Sequence, residues 1–65
     1  MIKKGSRVIY PFFYKGEEIK IVGTITKVYI HKSGIYKAVM VADDGQPLKE
    51  CEGPITDFEV IEDGV

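Results

Sequence analysis

Apolar residues along this chain alternate with polar ones in short runs, and Gly, Pro or Asp interrupts them roughly every ten residues. That pattern predicts short strands whose alternate side chains face a common core. Nowhere do apolar residues hold an i, i+3, i+4, i+7 spacing over three turns without β-branched crowding or a glycine, so no helix longer than one turn is predicted.

Residues 6–10 predict a first strand, ended by Pro11 because proline has no N–H to donate to a ladder. Residues 11–18 predict a long first loop. A long β-branched strand over 19–31 follows, with Gly23 as the site of a bulge or sharp bend that lets one strand serve two sheets. Lys32-Ser33-Gly34 predicts a short hairpin connection with Gly34 at positive φ. In the returning strand, 35–42, Val39 and Val41 share one face and Ala38 and Met40 the other. Asp43-Asp44-Gly45-Gln46 is the strongest turn signal, and its Asp-Gly step predicts a type I′ hairpin pairing residues 39–42 with 47–52. Gly53-Pro54 ends that strand, residues 55–58 predict one 3-10 turn, and 59–62 form the last strand. Residues 1–65 are expected to form one all-β domain with one core.

Composition narrows the possibilities. A chain of 65 residues buries only roughly 60% of the surface its unfolded form exposes, so its core is small. One cysteine, Cys51, and one histidine, His31, allow neither an internal disulfide nor a multi-Cys/His zinc site. The apolar fraction of 45% is too rich in Val, Ile, Tyr and Phe for a disordered chain. With no cationic leader and no apolar run long enough to span a bilayer, a cytoplasmic location without membrane association is expected.

Net charge is only −1, yet residues 1–37 carry eight Lys/Arg against two Glu and residues 38–65 carry one Lys against eight Asp/Glu. Such asymmetry points either to nucleic acid or to charges that face each other across paired strands, and the second is the plainer expectation. The basic residues Lys3, Lys4, Arg7, Lys15, Lys20, Lys27, Lys32 and Lys37 contain a single arginine. Since arginine supplies the bidentate contacts that read guanine, this set suits non-specific or RNA-shape contact rather than sequence readout. The acidic set Asp43, Asp44, Glu50, Glu52, Asp57, Glu59, Glu62 and Asp63 lacks EF-hand spacing, so no metal site is expected. No cofactor is expected either. Cys51 and His31 have no spacing that joins them to a third group, and Cys51 between Glu50 and Glu52 faces inward with a raised pKa, so no catalytic dyad is expected.

The most distinctive stretch is Tyr10-Pro11-Phe12-Phe13-Tyr14, four aromatics around a proline. Its rings can stack on bases, cage a methylated lysine or anchor in a protein groove. Alternatively, Phe12 or Phe13 plugs the end of a barrel while Tyr10 and Tyr14 cover its side. The candidate partner-binding residues are Tyr10, Phe12, Phe13, Tyr14, Lys15, Tyr29 and Tyr36.

Lys4-Gly5-Ser6-Arg7-Val8-Ile9 followed by Gly23-Thr24-Ile25 resembles the opening of KOW and related SH3-like modules. Tyr36-Lys37-Ala38-Val39 leading to Asp43-Asp44-Gly45 looks like the strand and turn of Tudor-like barrels, and residues 53–61 resemble their closing turn and strand. The resemblance implies a five-stranded SH3-like barrel with a long first loop and a short 3-10 turn before the last strand.

These readings lead to a small non-enzymatic protein-binding module, a regulator, adaptor or inhibitor that meets another protein through its aromatic segment. The size and the acidic final stretch suit a phage or mobile-element protein. One alternative is a KOW- or Tudor-like module gripping nucleic acid or ribonucleoprotein through its lysines. Another is an accessory subunit that stabilises a larger complex through an apolar patch. The oligomeric state stays open, since an exposed edge strand permits pairing with another chain.

Overall fold

Alternation builds the first element: Val8, Tyr10 and Phe12 turn to the core while Arg7, Ile9, Pro11 and Phe13 turn away, over strand β1 (Arg7–Tyr14). The computed structural model describes residues 2–62. After β1 come β2 (Glu17–Ile30), β3 (Tyr36–Ala42), β4 (Glu50–Pro54), a 3-10 turn (Ile55–Asp57) and β5 (Glu59–Glu62). Every pairing is antiparallel, and the five strands make one sheet in the order β4-β3-β2-β1-β5. Its edges, β4 and β5, are not joined by a ladder among the described residues, so hydrogen bonding leaves the sheet open.

Register explains the core. On the inner face, rungs run Phe12–Ile19, Tyr10–Ile21, Val8–Gly23–Ala42, Ile25–Met40–Cys51 and Val28–Ala38–Gly53 across the strands. Val8, Ile21, Ile25, Ala38 and Met40 are buried. Each of the larger ones contributes roughly 1.5–3 kcal/mol by leaving water. Phe58, just past the 3-10 turn, packs its ring 4.9 Å from that of Tyr10, and Ile2 and Ile55 complete the cluster. Val39 and Val41 lie opposite to Ala38 and Met40 in face, as the alternation predicts.

Four local expectations are corrected. The segment 11–18 is not a loop: β1 continues through Pro11, and a two-residue Lys15-Gly16 turn with both φ positive (52° and 80°) closes a β1–β2 hairpin. Pro11 sits opposite Lys20, beyond the reach of β5, which pairs only with residues 7–9 of β1. On that open side a missing N–H costs no ladder bond. The bulge in β2 falls at Thr26, between Ile25 and Lys27, and not at Gly23. Gly23 has a different task, because β1 and β3 flank it together and the Met40 sulfur and Val41 carbonyl occupy the space a Cβ would need.

The third concerns Asp43-Asp44-Gly45-Gln46. Its turn forms, with Gln46 N–H donating to the Asp43 carbonyl at 3.3 Å and Gly45 at φ +86°, but Asp44 does not take the positive φ that type I′ requires. The connection therefore runs on to Lys49, with Leu48 tucked against the core, before β4 begins opposite Val41 at Glu50. Gly53-Pro54 also stays within β4 rather than ending it, Pro54 lying on an edge strand opposite Lys37.

Gly23→Ala is expected to cost at least about 2 kcal/mol in urea unfolding, the scale of forced overpacking. Gly53→Ala, whose added methyl meets Tyr10 Oη at an ordinary 3.4 Å, should stay within about 1 kcal/mol of wild type. Equal losses at the two positions would refute the close-approach argument.

Candidate interaction surface

Past residue 9 of β1 and before residue 22 of β2, the hairpin has neither β5 nor β3 beside it and stands as a two-stranded arm. Its register makes two aromatic faces. Tyr10, Phe12 and Tyr14 lie on the inner face, with the Phe12 and Tyr14 rings 6.5 Å apart and nearly parallel at 26°. Tyr10 and Phe12 are half-buried against the core, whereas Tyr14 is 49% exposed and carries the Lys15 ammonium 5.4 Å from its ring centroid. Phe13 points to the outer face and is 71% exposed, the most solvent-open large apolar side chain among the described residues. Burial and the carboxylate of Asp57 push the Tyr10 phenol pKa up.

The seven candidate residues do not form one patch. Tyr10, Phe12, Phe13, Tyr14 and Lys15 gather on the arm. Tyr29 lies near the other end of β2, where its hydroxyl donates to the Glu52 carboxylate, a bond that raises its pKa, and Lys27 sits 5.1 Å from its ring. Tyr36 opens β3 and walls an apolar hollow of about 190 Å³ with Ile2, Val28 and Ile55. Beside it stand the exposed Ile30 and Ile35, which the sequence does not single out because a lone apolar residue next to a turn carries no periodic signal.

The charged residues distribute in the same piecemeal way. Lys15 is at the arm tip, Lys20, Lys27 and Lys37 are on the outer face, Lys3 and Lys4 precede β1, and Lys32 is in the β2–β3 connection. Arg7 is committed to structure: it grips Asp43 with two hydrogen bonds of 2.7 and 2.6 Å and donates to Thr24 Oγ1 at 2.9 Å. In the β1–β5 ladder it also faces Glu62, so at this position charges from the two halves of the sequence do meet across strands. Among the acidic set, Asp63 lies outside the described residues. No group of three His, Cys, Asp or Glu among the described residues is placed to hold a metal ion.

Cys51 is buried on β4 beside Met40, and burial followed by the charge of Glu50 pushes its thiol pKa up. His31 serves its own loop, Nδ1 accepting the Ser33 N–H at 3.1 Å with the Ser33 hydroxyl 2.8 Å away. Among the described residues no hydrogen bond joins the two side chains.

The Arg7 guanidinium holds the Asp43 carboxyl below its ordinary pKa of 3.8. A depressed carboxylate stabilises the fold above its unfolded-state pKa and loses that contribution as pH falls through the folded value. Asp43→Asn is therefore expected to lower the thermal midpoint near neutral pH, with the gap to wild type closing only as pH drops below about 4. A gap that persists at pH 2 would show that the ion pair is not its source. No family model, curated protein or solved structure matches this chain.

Proposed function

We propose that this chain is a non-enzymatic protein-binding module of SH3-like plan that engages its partner through the aromatic arm. The strand order β4-β3-β2-β1-β5, the long first hairpin and the 3-10 turn before β5 support the plan, although the ladder stays open between β4 and β5. The exposure of Phe13 and Tyr14 at the end of a hairpin carries the functional reading. Half-buried Phe12 and Tyr10 hold the arm's base against the core, so the outer rings are presented with little ordering left to do on binding. Large aromatic side chains held this way are the usual anchors of protein interfaces.

A nucleic-acid reading has one specific support, the Phe12–Tyr14 ring pair with Lys15 beside it, which joins aromatic faces to a cation as base-stacking surfaces do. The scatter of the remaining lysines over several faces, with Glu17 and Glu18 on the arm itself, argues against a phosphate track. The protein reading is the better supported.

Immobilised wild-type protein is expected to retain a stoichiometric protein from source-cell lysate after nuclease treatment, and Phe13→Ala/Tyr14→Ala to lose it. The doubly substituted protein should unfold within about 1 kcal/mol of wild type, since both rings are largely solvent-exposed. Fluorescence anisotropy with a 20-mer of single-stranded RNA at low and moderate salt tests the other reading. Steeply salt-dependent RNA binding lost in the same variant would replace the protein partner with nucleic acid.

A further inference from the structure

The arm has a free edge whose chemistry selects its own occupant. Val22 turns its backbone away from β1: its N–H donates to Gln46 Oε1 at 3.2 Å and its carbonyl accepts from the Asp43 N–H at 2.9 Å. By the two-residue period of an antiparallel ladder, Lys20 and Glu18 present their N–H and C=O groups in the same direction. β3 pairs with β2 only from Gly23 onward, so these four groups have no ladder partner among the described residues. They form an edge between the arm tip and the β3–β4 connection.

We infer that this edge pairs with the same edge of a second copy of the chain, about a two-fold axis at Ile19. In that register Ile19 meets Ile19 of the second copy as a non-hydrogen-bonded pair. Glu18 stands opposite Lys20 of the other chain twice over, and each of these pairs exchanges two backbone hydrogen bonds. The neighbouring two-fold registers place Glu18 opposite Glu18 or Lys20 opposite Lys20, which repel. On the inner face the rung Phe12–Ile19 continues into Ile19–Phe12 of the second copy, extending one apolar strip across four strands. The intermolecular ladder ends before Val22, whose outward groups Asp43 and Gln46 already occupy, and the second copy's Lys15-Gly16 turn meets the β3–β4 connection there, with Lys15 approaching the acidic Asp44.

The other edges are built against the same event. Two-fold pairing of β4 about Cys51 sets Glu50 against Glu52, and the four-residue β5 carries a bulge between Val60 and Glu62 that interrupts its edge. On the open side of β1, Pro11 has no N–H to offer at a position that would pair outward. Among the described strands, the arm edge of β2 combines free backbone groups with a charge order that is complementary to itself. This association is independent of the proposed partner, which meets exposed rings and not this edge.

Sedimentation equilibrium from about 10 μM to about 1 mM, at low salt, reads the result directly. Wild type is expected to pass from monomer to dimer over that range. Glu18→Lys or Lys20→Glu alone should weaken dimerisation about tenfold or more, because each creates two like-charge pairs. Glu18→Lys combined with Lys20→Glu should restore it, with far-UV circular dichroism unchanged in all three since both positions are exposed. A wild type that stays monomeric throughout, single reversals that dimerise like wild type, or a double reversal as weak as the singles would each overturn the inference.

Discussion

At Gly23 and Thr24 the backbone of β2 is paired on both sides, and at no other described position does it touch both β1 and β3. Everything else in the sheet is arranged around that overlap. The first half of β2 belongs to β1 and the second half to β3, so the hairpin arm and the β2–β3–β4 half of the sheet are joined across Gly23 and Thr24, with Asp43 bonding Val22 and Ser6 bonding Ile25 on either side. Glycine is required there because the Met40 sulfur and the Val41 carbonyl lie where a side chain would begin. On the opposite face Arg7 closes the junction from outside, reaching Thr24 in β2 and Asp43 just beyond β3. The join is thus held by close packing within and by a bidentate ion pair without.

That geometry accounts for the exposed surfaces. A two-stranded ribbon on its own is marginally stable in water, and this one is anchored only at its base, where Tyr10 packs on Phe58 and Ile21 is buried. Toward the tip the core ends while the alternation of apolar residues continues, and Phe13 and Tyr14 are left in solvent. Exposed rings and unpaired edges are therefore one consequence: the arm leaves the sheet before its apolar pattern runs out. The two free sides of the arm differ, with proline blunting β1 and a Glu-Ile-Lys order marking β2.

Charge follows the same division of labour. The basic first part and acidic second part of the sequence meet at Arg7, which contacts Asp43 and lies opposite Glu62. The lysines, by contrast, stay on solvent-facing positions of several elements. A one-dimensional imbalance of charge became a local clamp and a dispersed surface, not a basic stripe.

Within the strands, faces and elements were legible from alternation alone: Val8, Ile21, Ile25, Ala38, Met40 and Cys51 occupy the core side that a period of two assigns to them once the bulge at Thr26 is included. The single 3-10 turn, the five strands and the positive φ of Gly34 were legible too, because each depends on neighbours a few residues away. Pro11, which by itself reads as a strand end, and Asp44-Gly45, which by itself reads as a tighter turn than Lys15-Gly16, answer to the tertiary structure instead. Whether a proline interrupts a ladder depends on which strand lies beside it, and whether an Asp-Gly pair closes tightly depends on what else its aspartate neighbour binds. In the fold, Asp43 is claimed by Arg7, thirty-six residues away in sequence. Local periodicity determined which way each side chain faces; the strand neighbours, open edges and aromatics left in water were decided only when distant segments packed together.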